Sequence, residues 1–330
     1  MGRHDDDDHA RFERPRRRTR PRTKERPDYS GLPLGRVVTV DRGRYSVRLE
    51  EDRADGTGDA ITAAKARSIR GVVVGDLVRL DGDVTGAEGT LSRIAEVLPR
   101  TTVLRRTADD DDPIERIVVA NADQLVVVAA LADPPPRPAL IDRCLVAAFV
   151  AGMDPLVILT KSDLASPDEM IAALEPLDVA VLVIGRDADL AEVRASLADR
   201  ISVLVGHSGV GKSTLVNQLV PDAFRTTSHV NAVTGRGRHT STGSVVLDLP
   251  GGGRIVDTPG FRSFGLAHVE VEDVLKAFTD LHELTRDCPR GCTHLVDEPE
   301  CAMDVAVADG RLSPARLASF RRILESREQV

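Results

Sequence analysis

The sequence predicts a multi-domain chain. A small N-terminal β-barrel comes first, a central α/β domain of the doubly wound type follows, and a helical C-terminal segment is stapled by metal. Three observations carry this. Short β-rich runs separated by turn clusters fill residues 31–100. From about residue 113 the rhythm becomes strand, helix, strand. Three of the four cysteines, Cys288, Cys292 and Cys301, then crowd into one short stretch around His294.

Composition is consistent with this division. At 330 residues the chain has room for two or three domains. Hydrophobic residues make up 42%, aromatics only 3% and Trp is absent, so the core must be built from Val, Leu, Ile and Ala. No apolar run reaches membrane-spanning length, and the N-terminus is charged from Arg3 onward, without the apolar core of a signal peptide. The expectation is a soluble, cytoplasmic monomer with no membrane partner. In a reducing compartment, closely spaced cysteines indicate metal before disulfide.

The net charge of −8 hides a local excess of cations: residues 11–26 hold nine Arg or Lys against two Glu. Residues 1–30 lack periodicity and are rich in Arg and Pro, which predicts a disordered basic tail. Such a tail can simply solubilise the chain, but its Arg density favours contact with RNA phosphates.

The barrel is expected over 31–108. Its candidate strands are Gly35–Val40, Arg44–Leu49, Gly71–Val74, Leu77–Leu80 and Gly89–Ile94, with a turn cluster at Ala54–Gly58. Five short strands suit an OB-fold most simply, with a small ligand-free sandwich as the alternative. Arg100, Arg105 and Arg106 flank it and favour RNA binding.

The α/β domain is expected over 109–268. Gln124–Leu131 is the nearly continuous apolar run of a buried parallel strand, 138–151 a helix, and Leu156–Leu159 a strand running into Thr160. Helices at 167–175, 188–198 and 212–220 alternate with strands at Val179–Val183 and Ile201–Val205. Val245–Asp248 and Arg254–Asp257 form a strand pair. Residues 269–330 hold helical stretches at 269–284 and 313–327 around the cysteines.

Gly206-His207-Ser208-Gly209-Val210-Gly211-Lys212-Ser213, followed by Thr214, is a complete phosphate-loop pattern lying between a strand and a helix. Its backbone N–H groups and the helix start favour phosphate. Lys212 is expected to reach the β- and γ-phosphates, and Ser213 to ligate Mg2+. Asp257-Thr258-Pro259-Gly260 fits the DxxG element, with Asp257 on Mg2+ through water and the Gly260 amide sensing the γ-phosphate. In isolation the same string would be an ordinary turn.

The Gly-rich segment Thr234–Gly243 offers Thr240 as the threonine completing the Mg2+ shell, with Thr242 as competitor. Thr160-Lys161-Ser162-Asp163 matches the guanine-reading Asn-Lys-x-Asp with Thr in place of Asn. A carboxylate at 163 accepts from guanine N1–H and N2–H2, a donor pair that adenine lacks. The Ser-Ala-x element is not recognisable, and Ile184-Gly185-Arg186 stands where it is expected. Phe261 occupies the usual water-orienting Gln position, so His239, beside Thr240, is the candidate for positioning water. The alternative for His239 is RNA contact or a structural role.

Cys288, Cys292, His294 and Cys301 supply three thiolates and an imidazole, a closed set for one structural Zn2+. Cys144 sits on an apolar helix and is read as core.

The order is the most informative feature: the base-reading motif precedes the phosphate loop, the reverse of ordinary GTPases. With the switch and cysteine motifs, the chain from about 31 to 330 resembles the RsgA (YjeQ) family of small-subunit-dependent GTPases. That resemblance implies an OB-fold, a circularly permuted GTPase domain and a zinc domain. It also implies binding to the 30S ribosomal subunit and its 16S rRNA in late maturation, with hydrolysis of GTP to GDP stimulated by the subunit. Two other classes stay open, a P-loop ATPase with RNA-binding domains and a non-catalytic GTP-bound assembly factor.

Overall fold

In the computed structural model of the chain, the described residues are 27–50, 60–107, 115–221, 244–258, 266, 269–276, 278–296 and 298–328. The basic tail up to residue 26, the segment 222–243 and residues 259–265 lie outside them.

Five strands close the N-terminal barrel: β1 (Leu34–Asp41), β2 (Arg44–Leu49), β3 (Ile61–Lys65), β4 (Leu77–Asp81) and β5 (Ser92–Val97). β1 pairs with β2, β2 with β3, β3 in parallel with β5, β5 with β4, and β4 back with β1. Inward residues Val37, Val47, Ile61, Val78, Leu80 and Ile94 fill it. Closure leaves no free edge inside the barrel.

Two details differ from expectation. The strand predicted at Gly71–Val74 makes only an isolated bridge, Val74 to Val119. Its backbone is satisfied by a turn instead, because the Val73 N–H donates to the buried Asp76 carboxylate at 2.8 Å. Arg100 grips that carboxylate at 2.7 and 2.8 Å. The third strand is Ile61–Lys65, and the strand expected at 89–94 begins at Ser92.

A hairpin of β6 (Val103–Thr107) and β7 (Glu115–Ala120) follows. The expected boundary at 108/109 therefore falls within the connection between two paired strands.

The α/β sheet runs β10 (Ala180–Val183), β9 (Asp154–Thr160), β8 (Gln124–Ala130), β11 (Ile201–Val205), β13 (Arg254–Asp257), β12 (Val245–Asp248). Neighbours are parallel except β12 against β13. Alternation along β8 serves two layers. Leu125, Val127 and Ala129 face the cluster containing helix α1 (Pro138–Ala151), while Val126, Val128 and Ala130 face the cluster containing α3 (Ala191–Leu197) and α4 (Lys212–Leu219). Helix α2 (Asp168–Leu174) follows β9. Pro138 opens α1 and Gly152, left-handed at φ 69°, closes it. Thr39 of β1 pairs with Val245 of β12, so the barrel continues the edge of this sheet.

The C-terminal part holds α5 (Val271–Leu275), α6 (Thr279–Leu284), α7 (Ala302–Ala308) and α8 (Pro314–Glu328). The single helix expected over 269–284 is thus two. Phe278 breaks it at φ −110°, ψ 72°. It is driven inward, meeting Phe149 of α1 and Phe320 of α8 edge-on at 5.2 and 5.3 Å between ring centroids. No helix among the described residues is long and apolar enough to cross a membrane.

Candidate nucleotide and metal sites

β8 lies between β9 and β11, so the loops leaving β9 and β11 emerge side by side at the carboxyl edge of the sheet, where open α/β sheets bind ligands. β9 ends at Thr160 and turns through Lys161, Ser162 and Asp163. β11 ends at Val205 and passes through Gly206–Gly211 into α4, which begins at Lys212 and carries Ser213 and Thr214. Gly206 runs so close to β8 that a Cβ there would stand 2.5 Å from the Val128 carbonyl oxygen. Gly211 caps α4 at φ 92°, a conformation that disfavours any side chain.

Thr160 is buried, and its hydroxyl donates to the Val210 carbonyl at 2.6 Å, tying together loops fifty residues apart. Lys161 has φ 62°, and its ammonium donates to the Asp133 carbonyl. Asp163 is exposed at the edge, and its Oδ1 accepts from the Arg186 N–H at 3.0 Å. The Ser162 N–H donates to the Ile184 carbonyl at 3.3 Å. The segment 184–186 therefore abuts the Thr-Lys-Ser-Asp turn even though its sequence carries no Ser-Ala signature.

From the other side, β13 delivers Asp257, whose carboxylate pairs with the Lys212 ammonium. Thr258 anchors this strand end by donating its hydroxyl to the Leu204 carbonyl at 2.8 Å. His207 is half-buried, with Nδ1 2.9 Å from the Ser208 carbonyl oxygen. Ser208, Gly209, Ser213 and Thr214 are exposed at the mouth. The arrangement offers N–H donors and an ammonium to phosphate, a carboxylate to a divalent cation, and a second carboxylate to a base. His239, Thr240, Thr242, Gly260 and Phe261 lie outside the described residues.

Sequence reasoning missed Asp133, the partner of Lys161. The signal was Asp133-Pro134-Pro135-Pro136, a loop at the ligand-bearing end of β8. It also missed the anchoring bond of Thr258.

In the C-terminal part the ligand atoms of Cys288, Cys292, His294 and Cys301 all lie within 4.8 Å of one another. His294 Nδ1 is 3.3, 3.6 and 3.8 Å from the sulfurs of Cys292, Cys288 and Cys301. Tetrahedral Zn2+ with ordinary bond lengths sets N···S at about 3.6 Å, so the donor set fits that ion. Burial pushes the Cys288 thiol up and the Cys292 thiol up to about 12, and it lowers the His294 imidazole. Cys301 is buried and Cys288 accepts from the Ala302 N–H at 3.4 Å, so the cluster seeds the start of α7. Cys144, buried on α1 with its thiol pushed up to about 12, takes no part.

Known proteins share this architecture. The family model for RsgA GTPase matches residues 97–267. The chain superposes on the crystal structure of YjeQ from Thermotoga maritima with a TM-score of 0.67 at 25% identity, covering 90% of this chain and 99% of that one. It superposes on YloQ, described as a circularly permuted GTPase, with a TM-score of 0.65 at 25% identity, covering 92% and 97%. The small ribosomal subunit biogenesis GTPase RsgA of Klebsiella pneumoniae (strain 342) is 35% identical over 322 residues, 93% of this chain and 90% of the relative. With more than a third of positions identical along nine-tenths of both proteins, this chain belongs to the RsgA GTPase family.

Proposed function

We propose that this GTPase binds the 30S ribosomal subunit through 16S rRNA, assists its late maturation in the cytoplasm, and hydrolyses GTP to GDP faster when bound to it. The observation that carries the nucleotide half is the Thr160–Val210 hydrogen bond, which joins a base-reading loop to a phosphate loop in reversed chain order. The ribosomal half rests on what the relatives are named for, supported by the barrel and the basic stretch of residues 11–26. The working parts are the tail 1–30, the barrel 31–108, the nucleotide domain 109–268 and the metal domain 269–330.

Within the site, Asp163 selects guanine and Lys161 lays its stem along the base. Gly206–Gly211 wrap the phosphates, Lys212 offsets their charge, and Ser213 with Asp257 holds Mg2+. Bound Mg2+ neutralises charge on the β- and γ-phosphate oxygens. Thr240, Gly260 and His239 complete the site as cation ligand, γ-phosphate sensor and water-positioning residue. Cys288, Cys292, His294 and Cys301 hold one structural Zn2+.

The experiment is GTP hydrolysis with and without purified 30S subunits, with ATP as competitor. Stimulation by the subunit and indifference to ATP are expected. Equal rates with and without subunits would overturn the ribosomal reading. His239→Ala should bind GTP normally and lose the stimulated rate; retained stimulation removes that residue from catalysis.

A further inference from the structure

We propose that Arg321 is the positioning residue of the metal centre: it fixes the backbone of His294 so that Nδ1 meets the three thiols. The proposal rests on the zinc reading above. His294 is a buried, non-glycine residue held at φ 62°, in the left-handed region. That conformation costs free energy for a residue with a Cβ, so contacts from outside the residue must hold it. The restraint comes from α8. Arg321 is 8% exposed, and its Nε donates to the His294 carbonyl at 2.9 Å.

The rest of the guanidinium is engaged as well. Its two terminal nitrogens form a fork on Asp304 at 2.9 and 2.7 Å. Asp304 stands in the first turn of α7, directly after Cys301. One planar cation therefore spans the His294 loop and the helix that begins at Cys301. It also lies beside the Cys301 sulfur. Three thiolates around Zn2+ leave a net negative charge, and a nearly buried guanidinium beside them offsets it. Lysine cannot reproduce this, since a single ammonium has no planar fork to serve two acceptors at fixed angles.

The test uses the full chain, with Zn2+ and Co2+ as probes and a chromophoric chelator as competitor. Arg321→Gln is expected to weaken Zn2+ binding by about 10- to 100-fold. Its Co2+ form should show shifted ligand-field bands, because the imidazole leaves while the thiolate charge-transfer bands stay. Arg321→Lys should recover part of the affinity. A general loss of folding would not alter the Co2+ ligand set in this selective way. Asp304→Asn, which loosens the fork while leaving the Arg321 bond to His294, covers the case in which Arg321→Gln does not fold; a weaker loss in the same direction is expected. Zn2+ affinity within twofold of wild type, with an unchanged Co2+ spectrum in the variant that folds, overturns the proposal. A wild-type chain that takes up no Zn2+ overturns the zinc reading itself, and the proposal with it.

Discussion

Thr160 gives its hydroxyl proton to the Val210 carbonyl at 2.6 Å, and both residues are buried. Threonine stands where the base-reading motif usually has asparagine, and in this chain it serves as a tether between loops. Thr160→Val keeps the shape and removes the donor, leaving a buried carbonyl unpaired at a cost of about 1–3 kcal/mol. GTP and GDP affinity should therefore fall together by about tenfold, while the preference for guanine should persist, since the reading proposed above assigns it to Asp163. Thr160→Ser should restore affinity. Titration with fluorescent guanine and adenine nucleotides checks this; unchanged affinity, or loss of base preference, would contradict the tether.

Glu50 sits between two domains. It accepts from Arg36 of β1 at 3.0 Å and from Arg254 of β13 at 3.1 Å. Burial alone would raise its pKa, but the two guanidinium groups outweigh it and hold the carboxyl below its usual 4.5. A carboxylate depressed in the folded state stabilises fully above the unfolded pKa and loses that contribution as pH falls through the folded value. Thermal midpoints should thus drop as pH falls below about 4.5. Glu50→Gln should flatten this acid limb. It should also cost about 3 kcal/mol at pH 7, since two arginines lose their shared carboxylate. A variant with wild-type stability at pH 7 would show that the barrel needs no ionic clamp on the sheet.

Metal removal should act locally. Cys301 lies in the same apolar cluster as Phe278, Phe320 and Met303, so the metal loop is continuous with the packing of α8. Chelation, or Cys301→Ser, is expected to lower the first thermal transition by more than about 5 °C and to expose the 285–301 segment to protease. Nucleotide affinity should change little, because Thr160, Asp163 and Lys212 are held by Val210, Arg186 and Asp257, none of which belongs to the cysteine loop. Calorimetry with limited proteolysis of the chelated chain reports both; an unchanged digestion pattern would mean that packing alone holds the loop.

What the sequence made legible is what local chemistry dictates. The phosphate loop, the Thr-Lys-Ser-Asp turn and the cysteine cluster each need fixed residue types at fixed spacing. The strand–helix alternation was readable because β8 is apolar from Leu125 onward. The barrel was half legible. Ile61-Thr-Ala-Ala-Lys65 has weak strand propensity and becomes a strand only by pairing with β2 and β5. Gly71-Val-Val-Val74 has strong propensity and yields to the Asp76 turn. Arg321 carried no local signal, since its partners His294 and Asp304 are 27 and 17 residues away in the chain.

The residue after Arg321 faces the other way. Arg322 forms a fork on Asp142 of α1 at 2.8 and 3.2 Å and also donates to the Ala173 carbonyl at 3.2 Å. Adjacent arginines on α8 thus hold the cysteine loop on one side and helices α1 and α2 on the other. Asp142 is 2% exposed, and burial raises its pKa although Arg322 offsets part of the shift. Arg322→Ala removes the offset and leaves a buried carboxylate alone, which should cost about 3–5 kcal/mol at pH 7. The sign of the pH effect is opposite to that of Glu50. An acid with a raised folded pKa binds more protons when folded, so the variant should gain stability as pH falls through that raised pKa toward the ordinary 3.8. Adding Asp142→Asn should remove that slope and recover much of the loss. Unfolding of wild type and of the single and double variants between pH 7 and about pH 4 checks both points; a single variant whose deficit against wild type does not shrink as pH falls would show that Asp142 finds another cation once Arg322 is gone.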